Sequence, residues 1–174
     1  MDLNEIVGGV KLVSEVVGSA HPDPEKVKTV VKAVALGYCK LLPKVNPKLQ
    51  GMPCDKRFVL CGAAALTTVS VIRTAYQTTA EKISVEEGAR NIANLIRIAI
   101  ASIPKTIAVV GHVNPVFKAA AFVLAPVCKV LAPRVSDKVY VHAKTVLTYT
   151  KNVCRAAVTS AKKVLGGLKR LVFG

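Results

Sequence analysis

Apolar residues recur at every third or fourth position along most of this chain, which is the spacing of one face of an α-helix. A first such stretch follows Asp2 and ends at Gly18, and a second runs from Pro24 to Leu42. Asp2 and Asp23 are residues that cap helix N-termini, and proline suits the first helical position. These signals predict two amphipathic helices before residue 43.

Three prolines mark residues 43–54 as the longest irregular stretch, after which the apolar spacing predicts a third helix over about residues 56–80. Ser84 and Glu87 form a capping box, which predicts the start of a fourth helix. Pro104 is expected to break that helix, because proline lacks a backbone N–H and its ring collides with the preceding turn. A short helix is expected to follow it.

The C-terminal third is predicted to form two further helices. The first covers about residues 115–131, with Pro126 as a kink or break and Pro133 as its end. Ser136 or Asp137 then caps a long final helix. No stretch alternates between apolar and polar positions as a strand would. The pattern therefore predicts an all-α fold, a compact bundle of six or seven helices that ends in a long basic C-terminal helix.

The length of 174 residues fits a single domain, residues 1–174, with room for a sizeable core. The formal net charge of +15 is unevenly distributed. Residues 1–87 hold eleven basic and nine acidic residues, whereas residues 88–174 hold fourteen basic residues and one acid, Asp137. Charge of one sign repels itself unless anions bind to it, so the asymmetry indicates a polyanionic partner. A surface kept positive for solubility alone is the other interpretation, and it leaves the near absence of acids unexplained.

The final helix carries the most specific charge pattern. At 100° per residue, five of its cations fall within about 40° of one another. This basic stripe consists of Lys144, Lys151, Arg155, Lys162 and Lys169. Lys163 and Arg170 flank the stripe, and Lys138 extends the basic surface. The stripe would be about 37 Å long, close to one turn of duplex DNA at about 34–36 Å. Thr148 and Thr159 lie beside it and offer hydroxyl donors to phosphate oxygens.

The residue types in the stripe favour phosphate over bases as the target. Aromatic residues make up only 5% of the chain and do not alternate with the cations, so a stacking platform for single strands is not indicated. Lysine, which dominates the stripe, suits phosphate better than base edges. The sequence therefore predicts binding to the backbone of duplex DNA without sequence specificity, as in a packaging protein.

No set of residues indicates an enzyme, a cofactor or a metal site. Gly8-Gly9 and Gly166-Gly167 lack the context of phosphate-binding loops. The three histidines do not occur with cysteines at the spacing of zinc ligands. Gly111-His112 is more typical of a helix end than of a catalytic site.

The five cysteines leave at least one thiol without a partner inside the chain. Two bridges fit the predicted helices, one from Cys39 to Cys54 or Cys61 and one from Cys128 to Cys154. Buried thiols are the alternative, with equal support.

An anionic membrane surface is the main alternative partner, because a basic helix with a Val- and Leu-rich face is also typical of helices that lie on lipid. The N-terminus lacks the basic start of a signal peptide. The longest uncharged runs, Phe58–Ile72 and Ala119–Cys128, are shorter than the ~18–20 residues that cross a bilayer. We therefore expect no signal peptide and no transmembrane span.

The helical pattern, the scarce aromatics, the abundant Val and Ala and the Lys144–Lys169 helix together resemble the basic nucleocapsid proteins of archaeal filamentous and spherical DNA viruses. This resemblance of type implies that many copies assemble into a helical nucleoprotein, often as dimers that wrap DNA. A cellular chromatin protein fits nearly as well, so the expected location is a virion nucleocapsid or a nucleoid. Separately, the Val- and Ala-rich helices around 58–72 and 115–131 offer more apolar surface than one bundle buries, which predicts a homo-oligomer.

Overall fold

The computed structural model describes residues 3–45, 54–110 and 115–173, and it places them in helices with two short turns between them. The elements are α1 (Leu3–Gly18), α2 (Pro24–Val45), α3 (Cys54–Thr79), α4 (Val85–Val110) and α5 (Pro115–Phe173). Within these ranges there is no strand, so the predicted all-α class is confirmed. The predicted number of six or seven helices is wrong, since the described ranges hold five.

Two of the helix starts that short-range sequence signals predicted, at Asp23 and Ser84, are present. The backbone N–H of Glu25 donates to Asp23 Oδ1 at 2.9 Å, which caps α2. The backbone N–H of Glu87 donates to Ser84 Oγ at 3.1 Å, which caps α4. The predicted cap at Asp2 lies outside the described residues.

The predicted break at Pro104 and the predicted helix end at Pro133 are wrong, and α5 continues without a break at Pro126. Pro104 lies inside α4, and Pro126 and Pro133 lie inside α5. A proline removes one helical hydrogen bond and crowds one carbonyl, but the long antiparallel contact between α4 and α5 holds both helices in place around it. Ser136 therefore does not begin a helix. It is buried within α5, and its Oγ donates to the carbonyl oxygen of Ala93 on α4 at 3.0 Å.

Three small clusters of buried residues form the core. One joins α1, α2 and α3 through Val16, Val30 and Val69. A second joins α2 and α3 through Ala35, Cys39, Cys61 and Ala65. The third joins α4 to α5 through Ala89, Ile92 and Leu147, with partly buried residues of α3 against it. Because most of these side chains are small, the helix axes lie close together and little side-chain volume separates them.

The cysteine positions do not support the predicted bridges. Cys128 and Cys154 lie 26 residues apart on one continuous helix, a separation of about 39 Å, whereas a disulfide needs Cα atoms roughly 4.4–6.8 Å apart. In the structure Cys39 and Cys128 are buried thiols, Cys154 is an exposed thiol, and no bridge forms from Cys39. The side chain of Cys54 lies outside the described part of the chain.

The molecule exposes more surface than its mass predicts. The accessible area is 12013 Å², whereas a compact monomer of 18.4 kDa exposes about 8,200 Å². Part of the excess is apolar, and Phe122 on α5 is 83% exposed. The helices therefore form an open arrangement in which α5 is covered mainly on the side that faces α4.

Candidate polyanion-binding surface on helix α5

Helix α5 comprises 59 residues and is about 88 Å long. Its first part packs antiparallel on α4, and Leu147 is the last described residue that is buried. Every side chain described from Asn152 to Lys163 is exposed. From Asn152 to Lys163 helix α5 is therefore surrounded mainly by solvent, apart from the ion pair of Arg155 described below, and this stretch carries part of the predicted basic stripe.

The first part of the basic stripe faces two carboxylates from the start of α4 and the turn before it. Lys144 Nζ donates to Glu86 Oε1 at 2.7 Å. Arg155 Nε donates to Glu81 Oε1. The sequence predicted a purely cationic face, and that holds for α5 alone. In the folded chain, two of the stripe's cations form ion pairs with acids that lie 58 and 74 residues earlier in the sequence.

These ion pairs shift the pKa values of both partners. The hydrogen bond from Arg155 lowers the pKa of Glu81, and the nearby charges of Arg155 and Lys151 add to that effect. The hydrogen bond from Lys144 likewise lowers the pKa of Glu86. The pKa values of Lys144 and Arg155 are raised by the same bonds. All four side chains are about half exposed, so water screens the pairs and each contributes little to stability.

Glu81 occupies an unusual backbone position in the turn between α3 and α4. Its φ of 60° lies in the left-handed region, where non-glycine residues are uncommon. The turn is closed by backbone bonds from Glu81 N to Thr78 O at 3.2 Å and from Lys82 N to Gln77 O at 2.8 Å. The turn thereby presents the Glu81 carboxylate to Arg155 as α5 passes over it.

The second part of the basic stripe is free of such acids. Lys162 and Lys163 are exposed, and no acidic side chain within the described ranges lies at ion-pair distance from either. Lys138 is exposed near the middle of α5. The backbone at Lys169 and Arg170 belongs to α5, but their side chains lie outside the described part of the chain. The stripe therefore has two parts. Acids pair with two cations in the part from Lys144 to Arg155, whereas no described acid lies near Lys162.

The two threonines beside the stripe do not offer free donors. Thr148 Oγ1 donates to the carbonyl oxygen of Lys144 at 2.7 Å, and Thr159 Oγ1 donates to that of Arg155 at 2.9 Å. Each hydroxyl hydrogen is thus already donated to a backbone carbonyl, so a nearby phosphate would face a hydroxyl oxygen, which is an acceptor like the phosphate's own oxygens. Donation to the phosphate requires the hydroxyl to rotate away from its own helix.

The acids opposite the stripe are contacts that the sequence did not reveal. In the sequence, Glu81 and Glu86 stand near a predicted helix start, where acids complement the helix dipole. Their ion pairs depend on the register between α4 and α5, and no short-range pattern encodes that register.

One further concave region lies between two helices and is mostly apolar. A groove of about 500 Å³ between α3 and α4 is lined by Ala, Ile, Thr and Ser. The hydroxyl groups in the groove belong to Thr67, Thr68, Ser102 and Thr106. Each donates to a backbone carbonyl of its own helix, so the groove surface is mostly carbon. Across the described residues, no cluster of His, Cys, Asp and Glu could hold a metal ion.

Among the described residues, two helical stretches are long and apolar enough, by length and composition, to cross a membrane: Val85–Val109 and Lys118–Lys163. The uncharged run Ala119–Cys128 lies within the second stretch and is shorter because Lys129 ends it, whereas Phe58–Ile72 lies in neither stretch. Only 17% and 22% of the most apolar window in each stretch is buried in the protein. Helices in the cores of water-soluble proteins meet the same criterion, and those are mostly buried.

No protein-family model matches the chain, and no curated protein and no solved structure shows significant similarity to it.

Proposed function

We propose that this protein packages duplex DNA, with many copies binding the phosphate backbone without reading sequence and contacting one another along the DNA. The observation that carries the proposal is the end of α5. From Lys138 to Phe173 the chain holds eight basic residues and no acid, and this segment extends beyond the last buried residue. A viral nucleocapsid or a cellular nucleoid is the corresponding location.

The geometry of α5 fits a regular array of phosphates. The distance from Lys144 to Lys169 along the helix is about 37 Å, which is close to one turn of duplex DNA. Lysine and arginine on a rigid helix can follow a groove or cross a backbone, and each phosphate contact releases counterions from the DNA. A steep loss of affinity with rising salt is therefore the expected signature.

The ion pairs of Glu81 and Glu86 fit the same proposal. Both carboxylates take places that phosphates would take beside Lys144 and Arg155. Because the pairs are solvent-exposed and weak, phosphate oxygens can replace the carboxylates at little expense. Initial contact is expected at Lys162 and Lys163, where no described acid competes.

The test is a comparison of two charge-matched double variants, K162Q/K163Q on α5 and K32Q/K40Q on the exposed face of α2. Affinity for duplexes of unrelated sequence is measured by fluorescence anisotropy from 50 to 200 mM salt. We expect K162Q/K163Q to reduce the slope of log affinity against log salt by about 1.8, and K32Q/K40Q to change it far less. No duplex binding by the wild type, or equal slopes for both variants, would contradict the proposal.

A second candidate function is attachment to an anionic membrane surface. On the end of α5, the exposed residues Val153, Ala157 and Ala161 lie on the side opposite to Arg155 and Lys162, which is the amphipathic arrangement of interfacial helices. The two long apolar stretches in α4 and α5 also favour it. Flotation with phosphatidylglycerol vesicles and with phosphatidylcholine vesicles tests this function. Flotation with the anionic vesicles, together with no binding to DNA, would favour the membrane over the packaging function.

A further inference from the structure

The side of α5 that faces away from α4 carries a second regular pattern. We call this side the outer face, and it consists of Val123, Val127, Val130, Arg134, Asp137 and Val141. The spacing of these residues alternates between four and three, which is the spacing of a helix seam that packs on another helix. All six residues are exposed in the single chain, including Val123 at 65%, Val130 at 54% and Val141 at 60%.

The helical body cannot cover the outer face. The buried residues Cys128, Ala132 and Ser136 point toward α4, and the outer face lies on the opposite side of the helix. A seam with four valines in contact with water is unfavourable, because apolar surface gains about 25 cal/mol per Å² when it is buried. The outer face therefore lacks a partner within the described part of this chain.

The charges within the outer face indicate what that partner is. Asp137 is the only acid after Glu87, and it lies three positions from Arg134 on this face. Neither residue forms an ion pair with another described residue of its own chain. A lipid surface would leave the Asp137 carboxylate facing anionic headgroups or hydrocarbon, whereas a second copy of the chain supplies the matching charge.

We propose that two copies pair antiparallel through their outer faces, about a two-fold axis that passes between Arg134 and Asp137. Arg134 then lies opposite the partner subunit's Asp137, and the symmetry repeats this contact in the other direction. Val130 lies opposite the partner subunit's Val141. A parallel pair would instead place Arg134 against Arg134 of the partner subunit, so the charges select the antiparallel arrangement.

The surface area is consistent with a dimer. The chain exposes about 3,800 Å² more than a compact monomer of its mass, and a standard interface takes about 800 Å² from each partner. In the antiparallel pair the two bodies lie on opposite sides of the paired helices, because each body occupies the inner side of its own α5. The cationic ends then extend from both ends of the pair.

This pairing rests on the proposed packaging function, because it supplies a contact between copies that packaging requires. Dimerisation is measured without DNA, so that the pairing and the packaging function are tested independently. The experiment is sedimentation equilibrium on full-length chains in high salt. We expect a wild-type dimer, at least tenfold weaker dimerisation of R134D and of D137R, and recovery in R134D/D137R. The control R97D changes an exposed charge on α4 and should leave the dimer intact.

A cross-link checks the register of the pair. In a C154S background, V130C/V141C should oxidise to a covalent dimer through two symmetric bridges, whereas V130C alone should not. Circular dichroism confirms that each variant is folded. A monomeric wild type, single charge variants that dimerise normally, or a double charge variant that stays monomeric would each overturn the proposal. Binding to DNA by a monomer would leave the packaging function standing and remove only this interface.

Discussion

At the scale of single residues, Gly88 on α4 lies in close contact with Thr78 on α3 and Leu147 on α5. A Cβ atom there would overlap Thr78 Oγ1 and would lie 3.2 Å from Thr78 Cβ and 3.3 Å from Leu147 Cδ1. The Thr78 side chain is fully buried and its hydroxyl donates to Thr74 O at 2.8 Å, so it has no free space into which it could move. Helix packing at this point therefore requires the absence of a side chain.

We expect G88A to lower the free energy of unfolding by about 1–3 kcal/mol, because an added methyl group in a close-packed site forces its neighbours apart. The control is G37A on α2, where a Cβ would meet no atom within 4 Å. Replacing a helical glycine there should raise stability by about 0.5–1 kcal/mol. Urea denaturation of both variants measures the difference, and equal stabilities would show that Gly88 is not at a close contact.

The Glu81 and Glu86 ion pairs predict a dependence of stability on acidity. Their folded pKa values lie below those of glutamate in an unfolded chain, which are about 4.3. The stabilising contribution is therefore present above that pH and is lost as the pH falls through the lowered folded values. We expect wild-type stability to exceed that of E81Q/E86Q at pH 7 and the gap to narrow progressively as the pH falls below about 5. A gap that stays constant over this range would argue against the pairs.

The residue scale also shows what a sequence can and cannot predict about such contacts. The caps at Asp23 and Ser84 involve partners two and three residues away, so a local pattern was sufficient to find them. The contact of Arg155 with Glu81 spans 74 residues, and its existence depends on how α5 crosses the α3–α4 turn. The sequence thus predicted the cations of the candidate site correctly as a helical face but missed the acids opposite them.

At the scale of whole elements, the prolines within α5 give a test whose sign is informative. Pro126 and Pro133 are exposed and lie inside a continuous helix, so replacing either with alanine restores a hydrogen bond and removes crowding. We expect P126A and P133A each to stabilise the protein, by up to about 3 kcal/mol. In a loop, the same change would destabilise by about 0.4–1 kcal/mol, because it loosens the unfolded chain. Thermal unfolding followed by circular dichroism shows whether each variant is more or less stable than the wild type, and therefore whether the proline lies in a helix or in a loop.

The helix count failed for a related reason. Local rules treat each proline as an end, and they divide α4 and α5 into shorter pieces than the structure contains. Contact between the two long helices outweighs that local preference, and Ser136 illustrates the change of role. The sequence predicted Ser136 as a helix cap, but its hydroxyl instead donates to the carbonyl oxygen of Ala93 across the interface.

At the scale of the whole molecule, the amount of apolar surface could be predicted but its location could not. Residues 58–72 and 115–131 were expected to exceed what one bundle buries, and Leu66, Ile72 and Phe122 are indeed exposed. Both segments carry apolar residues around much of the helix circumference, so the pattern does not say which side meets the body. Only the position of α4 separates the inner side of α5 from its outer face.

The free end of α5 has a further consequence, for the energetics of binding. Residues 148–163 gain little from tertiary packing, and Val and Thr, which are common there, are poor helix formers. In solution the helix over these residues should open and re-form rapidly, as helices with little tertiary support do. A ligand that binds only the straight helix must then offset the free energy of ordering this stretch. The affinity of that ligand should therefore weaken on warming more than the charge contacts alone would predict.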